Sequence, residues 1–109
     1  MKDFKWNQRE KSISRAAFDK AYNKECNHII EAVKKQASTL TEPEDIWALE
    51  DYLFKKRKEI DQRYDYRYSV LIPVFGVLVR QGWIEMKDLE GLEQEKLQKI
   101  QSIANFLND

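Results

Sequence analysis

The sequence is short of the residues that form disulfides, metal sites and tight turns: it has one cysteine, one histidine, three glycines and two prolines in 109 residues. Because the single cysteine, Cys26, cannot form an internal disulfide, we expect a soluble protein of a reducing compartment. A chain with so little glycine and proline makes few tight turns, which favours long helices. The absence of a repeat or a low-complexity linker predicts one domain.

Net charge and long apolar runs are also lacking. Nineteen basic residues balance nineteen acidic ones, and a zero formal net charge argues against a nucleic-acid binder, which needs a basic surface. The longest apolar run, residues 70–79, contains Pro73 and Gly76 and is shorter than the roughly 18–20 residues of a membrane span. The polar N-terminus does not resemble a signal peptide. We therefore expect a cytoplasmic protein without a membrane span.

Candidate catalytic and metal-binding residues are few. His28 is the only histidine, and Cys26 has no second ligand near it in the sequence. Glu25 and His28 match the Glu-x-x-His spacing of di-iron helices once, whereas such sites need this motif on paired helices. No glycine-rich phosphate loop is present. The sequence therefore predicts a non-enzymatic protein with no cofactor and no metal site.

The spacing of apolar residues predicts an all-α fold, preceded by a loose segment at residues 1–11. Thr41 and Glu44 form a capping-box pattern at the start of the second helix. Gly82 is expected to end the third helix in a left-handed conformation, with Trp83 and Ile84 folding back onto it. The predicted elements are helices at about residues 12 or 14–38, 42–64, 69–82 and 93–107, and a short turn at 86–90.

Three tyrosines, Tyr64, Tyr66 and Tyr68, follow the second helix. They have two interpretations. In the first, they pack the elbow between the second and third helices. In the second, they form a patch for a partner or for stacking on nucleic acid; the zero net charge argues against the nucleic-acid form.

The second helix is apolar over more of its circumference than one core can use. Placing each residue 100° further round the axis puts one apolar set in a single arc: Ile46, Leu49, Leu53, Ile60 and Tyr64. An adjacent arc of roughly 120° has the mixed composition of a contact surface: Trp47, Glu50, Asp51, Phe54 and Arg57. We expect the first arc to pack inside the subunit, and the second to serve either self-association or a partner.

The predicted first helix is roughly 40 Å long, which exceeds the diameter of about 34 Å expected for a compact domain of this size. Two long antiparallel helices (about residues 12–66) would therefore extend beyond a small helical head (about residues 67–109). Their exposed apolar surface needs a cover, and a second copy related by two-fold symmetry is the simplest one. We accordingly predict that the long helices form the body of a homodimer.

Several motifs resemble the cyanobacterial fluorescence recovery protein family. The resemblance covers about residues 17–104 and is most specific in the central block. The motifs are Ala17-Phe18-x-Lys20-Ala21-Tyr22, Gln36-Ala37-Ser38, Trp47-x-Leu49-x-Asp51 and Lys56-Arg57-x-Glu59-Ile60-Asp61-x-x-Tyr64-Asp65-x-Arg67-x-Ser69-Val70.

This resemblance implies an all-helical, dimeric and non-enzymatic regulator of photoprotection. It implies binding to the photoactivated orange carotenoid protein, mainly at its C-terminal domain. Such binding speeds the return of that protein to the inactive orange form and helps its detachment from the phycobilisome. The resemblance therefore implies a location of this chain near the phycobilisome or the thylakoid surface. The functional tryptophan, aspartate and arginine of the family match Trp47, Asp51 and Arg57, and a lysine of the head matches Lys99.

The chain departs from the family pattern at two positions. Glu50 replaces a histidine common beside the aspartate, and Pro73 replaces a phenylalanine of the head that contributes to client binding. The candidate partner-binding residues of the head are therefore Pro73, the nearby Phe75 and Lys99. These departures keep open an alternative, a diverged helical dimeric adaptor of the same fold with a different protein client.

Overall fold

A computed structural model describes residues 4–106 of the chain. It contains four α-helices and one short 3-10 turn, and no β-strand is found in this range. The helices are α1 (Gln8–Ala37), α2 (Pro43–Arg63), α3 (Leu71–Arg80) and α4 (Gln94–Phe106), and the 3-10 turn at Met86–Leu89 joins α3 to α4. The predicted all-α class is thereby confirmed.

Helix α1 begins earlier than the sequence analysis predicts. Asn7 is its N-cap: the Asn7 Oδ1 atom accepts a hydrogen bond from the Glu10 backbone N–H at 2.9 Å, and Glu10 Oε1 accepts from the Asn7 N–H at 3.2 Å. These two bonds satisfy N–H groups that the first turn of a helix otherwise leaves unpaired. Phe4 and Trp6 also pack partly buried against the core. The prediction of a loose segment is therefore wrong for residues 4–11, and residues 1–3 lie outside the described range.

The cap of α2 also differs from the prediction. The structure places Glu42 at the N-cap, and Asp45 rather than Glu44 supplies the capping carboxylate. Asp45 Oδ2 accepts from the backbone N–H groups of Thr41 and Glu42, both at 3.0 Å. The predicted box is wrong by one residue because Asp45, and not Glu44, reaches back to these N–H groups.

One core holds α1, α3, the 3-10 turn and α4 together. Its fully or nearly fully buried apolar side chains come from all four elements and their connections: Ala17, Phe18, Ala21, Leu71, Ile72, Phe75, Leu78, Ile84, Leu89, Leu92 and Ile100. Gly76 allows α3 and α4 to approach closely, since a Cβ atom there would lie 2.4 Å from Ile103 Cγ2. We call residues 4–25 and 64–106, which surround this core, the head.

The head therefore includes the first part of α1. The sequence-based division at about residue 66 places all of α1 in the long helical pair, whereas Ala17, Phe18 and Ala21 pack in the head core. Lys20 Nζ also donates to Asp88 Oδ1 at 2.7 Å, and Lys24 Nζ donates to the Gly82 carbonyl at 2.9 Å. Helix α1 is thus shared between the head and the rest of the molecule.

The end of α3 follows the prediction closely. The helix ends at Arg80, and Gly82 has a positive φ of 82°. The Trp83 N–H then donates to the Leu78 carbonyl at 3.0 Å, which turns the chain back and buries Ile84. The start of α3 is at Leu71 rather than 69, with Pro73 in the first turn, where its missing N–H costs no helical hydrogen bond.

The inner face of α4 also agrees with the prediction. Ile100 and Ala104 are buried, and Leu97 and Ile103 pack partly buried against the core. Leu107, the last residue of the predicted face, lies outside the described range.

The remaining residues, 26–63, form what we call the stem: the later part of α1, its connection to α2, and α2 itself. Ile60 is the only buried residue of α2. Ile46 and Leu53 are 51% and 41% exposed, so the prediction that their arc packs inside the subunit is wrong for these two residues. The physical reason is that no other described element covers this part of α2. With the stem extended from the head, the chain measures 53 × 27 × 20 Å.

No helix within residues 4–106 combines the length and apolar character required to cross a lipid bilayer.

Candidate partner-binding surface

The five candidate residues of α2 form one exposed surface, which we call the α2 patch: Trp47, Glu50, Asp51, Phe54 and Arg57. The large rings of Trp47 and Phe54 are 59% and 66% exposed, and the three charged residues are also exposed. Large aromatic side chains together with arginine are enriched among the residues that dominate binding energies at interfaces. The geometry is therefore that of an available contact surface.

Arg57 is paired within its own helix. Its Nε atom donates to Asp61 Oδ2 at 3.3 Å, and the two side chains are 80% and 62% exposed. Ion pairs this exposed contribute little to stability and exchange readily with water or another partner. Asp51 lies six positions from Arg57, too far for an intrahelical pair, so both charges remain available to another molecule.

A run of basic residues continues the α2 patch. Lys55, Lys56, Arg57 and Lys58 are consecutive in α2. Lys56 pairs with Glu59 at 3.4 Å, and the Lys58 ammonium lies 5.8 Å from the centre of the Phe54 ring. This turn of the helix therefore presents positive charge beside an exposed aromatic ring, a combination that suits an acidic protein surface.

The structure places the three head candidates differently. Phe75 is fully buried in the core, so its prediction as a partner-binding residue is wrong for this fold. Pro73 is exposed and lines an open cleft of about 330 Å³ between the end of α2 and α3. Lys99 is exposed on α4 and does not line this cleft. The cleft is lined by residues from both helices. Beside Pro73, these are Glu59, Gln62, Arg63, Val74 and Val77.

The tyrosine segment packs on α1, as the elbow interpretation predicts. The ring of Tyr66 lies 4.8 Å from Phe18, centre to centre, and the Arg15 guanidinium lies 4.4 Å from the centre of the Tyr66 ring. Burial, together with a hydrogen bond to Tyr68, raises the pKa of Tyr66 to about 12. Tyr68 contacts Trp6, with ring centres 5.8 Å apart. The elbow is thus held along the first half of α1.

Sequence reasoning missed a buried ion pair in the head. Lys96 and Glu10 are each 1% exposed, and Lys96 Nζ lies 2.8 Å and 2.9 Å from the two carboxylate oxygens of Glu10. The same ammonium donates to the Lys5 carbonyl at 2.7 Å and lies 4.8 Å from the centre of the Trp6 ring. Lys96 therefore fastens the N-terminal segment to α4.

The protonation of this pair follows from its hydrogen bonds. Burial raises the pKa of Glu10, but hydrogen bonds from Lys96 and from the N–H groups of Glu93 and Asn7 outweigh it and leave the pKa below its ordinary value. Burial lowers the pKa of Lys96, but its bonds to Glu10 and Glu93 outweigh it and leave the pKa above its ordinary value. Both groups are therefore charged at neutral pH, as a buried pair must be to satisfy its donors and acceptors.

Within residues 4–106, no group of three or more histidine, cysteine, aspartate or glutamate side chains has a geometry that could hold a metal ion.

Comparison with known families shows which family the chain belongs to. A family model described as "Photoprotection regulator fluorescence recovery protein" matches residues 6–104. The chain belongs to this family. The resemblance predicted from its central motifs is thereby confirmed, and the description of the family is that of a regulator and not of an enzyme class.

Individual members of the fluorescence recovery protein family are similar over nearly the whole chain. The fluorescence recovery protein of Synechocystis sp. (strain PCC 6803) is 40% identical over 101 residues, which are 93% of each protein. The solved structure of the Fremyella diplosiphon protein is 46% identical, with a TM-score of 0.89 over 93% of this chain and 99% of that one. The solved Synechocystis structure gives the same TM-score at 40% identity, with the same coverage of both chains.

Proposed function

We propose that the protein binds the photoactivated orange carotenoid protein and accelerates its return to the inactive orange form. By the same binding it promotes detachment of that client from the phycobilisome, so that light harvesting recovers after photoprotection. The observation that carries this proposal is the α2 patch: a member of the fluorescence recovery protein family exposes Trp47 and Phe54 where its client-binding residues are expected.

Trp47 and Phe54 are the apolar anchors of the proposed contact, and Asp51 and Arg57 give it charge specificity. Exposed rings gain free energy when a partner removes them from water. Arg57 already carries an exchangeable surface pair, so a carboxylate of the client can replace Asp61 at small cost. Lys99 and the surface around Pro73 extend the contact to the head. The C-terminal domain of the client is the proposed target.

The mechanism proposed is differential binding. A protein without a cofactor accelerates a conformational change only by binding the transition region more tightly than the starting state. It shifts the final populations only if it also binds one end state better than the other. A helical scaffold that holds two surfaces of the client in the closing orientation satisfies the first requirement.

A second copy is proposed to cover the other apolar face of the stem. Ile46 and Leu53 lie on that face and are 51% and 41% exposed, although side chains of their type are more often buried. A symmetric homodimer would bury them. Sedimentation at micromolar concentration is expected to give twice the chain mass of 13.1 kDa; a compact particle of the single-chain mass would contradict this part of the proposal. We place the dimer near the phycobilisome, where its client acts.

Recovery of the orange form in darkness tests the client directly. The carotenoid protein is photoactivated, the light is switched off, and absorbance is followed with and without this protein. A faster return at substoichiometric to equimolar amounts is expected. A pull-down with light-activated and dark-adapted carotenoid protein then shows which state is bound. An unchanged recovery rate together with no capture of either state would contradict the proposal.

A second candidate is a diverged helical dimeric adaptor with another protein client. It is favoured by Glu50 and Pro73, which stand where the family resemblance implies a histidine and a phenylalanine. A dimer that leaves carotenoid recovery unchanged would select this candidate. Restoring the two residues as Glu50→His and Pro73→Phe is the matched test, since a gain of recovery activity would identify these departures as the cause.

A further inference from the structure

The position of α2 depends on few contacts. It is tied to α1 at its beginning by the connection at residues 38–42, and at its end by its last turn. Ile60 is its one buried residue, so burial of apolar surface does little to hold the helix in place. The contacts around Arg63 and Tyr64 must therefore account for most of what fixes its end.

A buried carboxylate on α1 collects these contacts. Glu25 is 4% exposed, and its two oxygens have different partners: Arg63 pairs with Oε2, and the Tyr64 hydroxyl donates to Oε1 at 2.8 Å. Arg63 and Tyr64 are the last residue of α2 and its C-cap. One side chain of α1 thus holds two consecutive donors at the point where α2 ends.

The neighbouring ring contacts cannot replace this fixation. Tyr64 packs edge-on against Phe18 and Tyr22, with ring centres 5.4 Å and 5.3 Å apart. Edge-to-face ring pairs are favourable over a range of centroid distances of about 4.5–7 Å, so they define a position less narrowly than a hydrogen bond does. Charge-assisted hydrogen bonds from two donors to one carboxylate are directional, and they are costly to leave unmade once the carboxylate is buried.

We propose that Glu25 is a positioning residue that fixes the end and rotation of α2, and so sets the α2 patch relative to the head surface around Pro73 and Lys99. The role of this geometry in client binding rests on the function proposed above; the positioning itself does not. Glu25 touches neither the α2 patch nor the two head candidates, and it acts only through Arg63 and Tyr64.

The test measures the position of α2 without any client. Spin labels are attached to cysteines placed at Gln62 on α2 and Gln98 on α4, both exposed, in a Cys26→Ser background. Labelled chains are diluted into an excess of unlabelled chains, so that only distances within one chain are seen. Because a helix of 21 residues is about 30 Å long, a rotation of 10° about its beginning moves its end by roughly 5 Å.

Glu25→Gln keeps one acceptor oxygen but removes the charge and the second acceptor. The expected result is a shifted or broadened Gln62–Gln98 distance distribution with wild-type helix content. Tyr64→Phe, which removes one hydroxyl and keeps the ring, should broaden it less. Glu31→Gln is the matched control, since Glu31 lies on the same helix with a side chain 75% exposed, and its distribution should stay that of the wild type.

Reversing the pair distinguishes positioning from general loss of stability. The double variant Glu25→Arg with Arg63→Glu rebuilds the ion pair but neither the Tyr64 hydrogen bond nor the pair of Arg63 with Glu59, so it should narrow the distribution relative to Glu25→Gln without fully restoring it. A wild-type distribution in Glu25→Gln would overturn the proposal. So would general loss of helix content in both Glu25→Gln and Tyr64→Phe, because Glu25 would then be a folding residue.

Client binding gives a second, separable readout. If the proposed client is correct, Glu25→Gln should bind the photoactivated carotenoid protein about two- to thirtyfold more weakly, the range typical of coupling through a positioning contact. If the wild-type protein does not bind that client at all, the proposed function fails, and the distance measurements still decide the role of Glu25.

Discussion

The head and the stem use their side chains in opposite ways. The head buries large apolar residues from four elements and even a complete ion pair between Glu10 and Lys96. The stem leaves Ile46, Trp47, Leu53 and Phe54 between 41% and 66% exposed, and α2 buries one residue. Burial of its apolar side chains stabilises the head by itself, whereas the exposed apolar side chains of the stem are buried only if another molecule covers them. We therefore expect the head to supply stability and the stem to supply contact.

Removing the buried cation of the head should have the largest effect on stability. Lys96→Met leaves the Glu10 carboxylate buried without its partner, which costs about 3–5 kcal/mol. Urea unfolding followed by circular dichroism measures the loss. Lys99→Ala, an exposed lysine of the same helix, is the control and should change the free energy of unfolding by no more than about 0.5 kcal/mol. Equal effects of the two substitutions would mean that the ion pair contributes nothing to the head.

Lowering the pH should reduce the free energy of unfolding of the head by protonating Glu10. The reduction should be smaller than that caused by Lys96→Met, because protonation leaves some hydrogen bonds in place. The folded pKa of Glu10 lies below its ordinary value of 4.5. Its contribution is therefore complete above pH 4.5 and is lost as the pH falls through the lower folded pKa. The free energy of unfolding should decline in that window, and Glu10→Gln should show a shallower decline. Identical slopes for both proteins would contradict the assignment.

Truncating Trp47 should affect binding at the stem but not the stability of the head. Because its ring is mostly exposed, Trp47→Ala should change the stability of the head by no more than about 0.5 kcal/mol. Binding at the stem should lose about 2 kcal/mol, the usual threshold for an anchor residue. The mass of the particle in solution, the affinity for the client and the free energy of unfolding are measured on one sample. A variant that remains dimeric and fully active would show that Trp47 contributes to neither contact. The proposed contrast between head and stem would then not hold for this residue.

The smallest expected effect is that of Arg57→Lys. Lysine keeps the positive charge but loses the planar fork that contacts both oxygens of a carboxylate, at a cost of about 1 kcal/mol, or about fivefold in recovery rate. Folding should be unchanged, since the pair with Asp61 is exposed. If Arg57 serves the client, the variant stays dimeric and recovers the carotenoid protein more slowly. If it serves the dimer, the mass falls first and activity follows.

Local signals predicted the elements of the fold well. Helical spacing indicated the four helices in order, and Gly82 marked the end of α3 because a positive φ is a local requirement. The early start of α1 was not predicted, although the Asn7–Glu10 capping spacing was present in the sequence as a local signal for it. The central motifs were specific enough to predict the family, whose model matches residues 6–104.

Contacts between distant residues were not predictable in the same way. Glu10 and Lys96 are 86 positions apart, and nothing local distinguishes a lysine of α4 that will be buried from its exposed neighbour Lys99. The arcs of α2 were grouped correctly by periodicity, but periodicity does not say which arc a neighbouring element covers. Phe75 was misplaced for the same reason: its position on the inner side of α3 depends on how α3 crosses α4 at Gly76.

One continuous helix, α1, runs through both regions for 30 residues. Its two ends therefore meet the rest of the molecule differently. The first part is packed in the head, and α2 has to return from the far end of α1 to the same head, where Glu25 meets Arg63 and Tyr64. Inserting a single residue into the later part of α1 would turn the residues beyond it by about 100° and lengthen only one of the two stem helices. Helix α2 would then no longer reach Glu25 in the same register. The lengths of the two stem helices are thus matched to each other through the head.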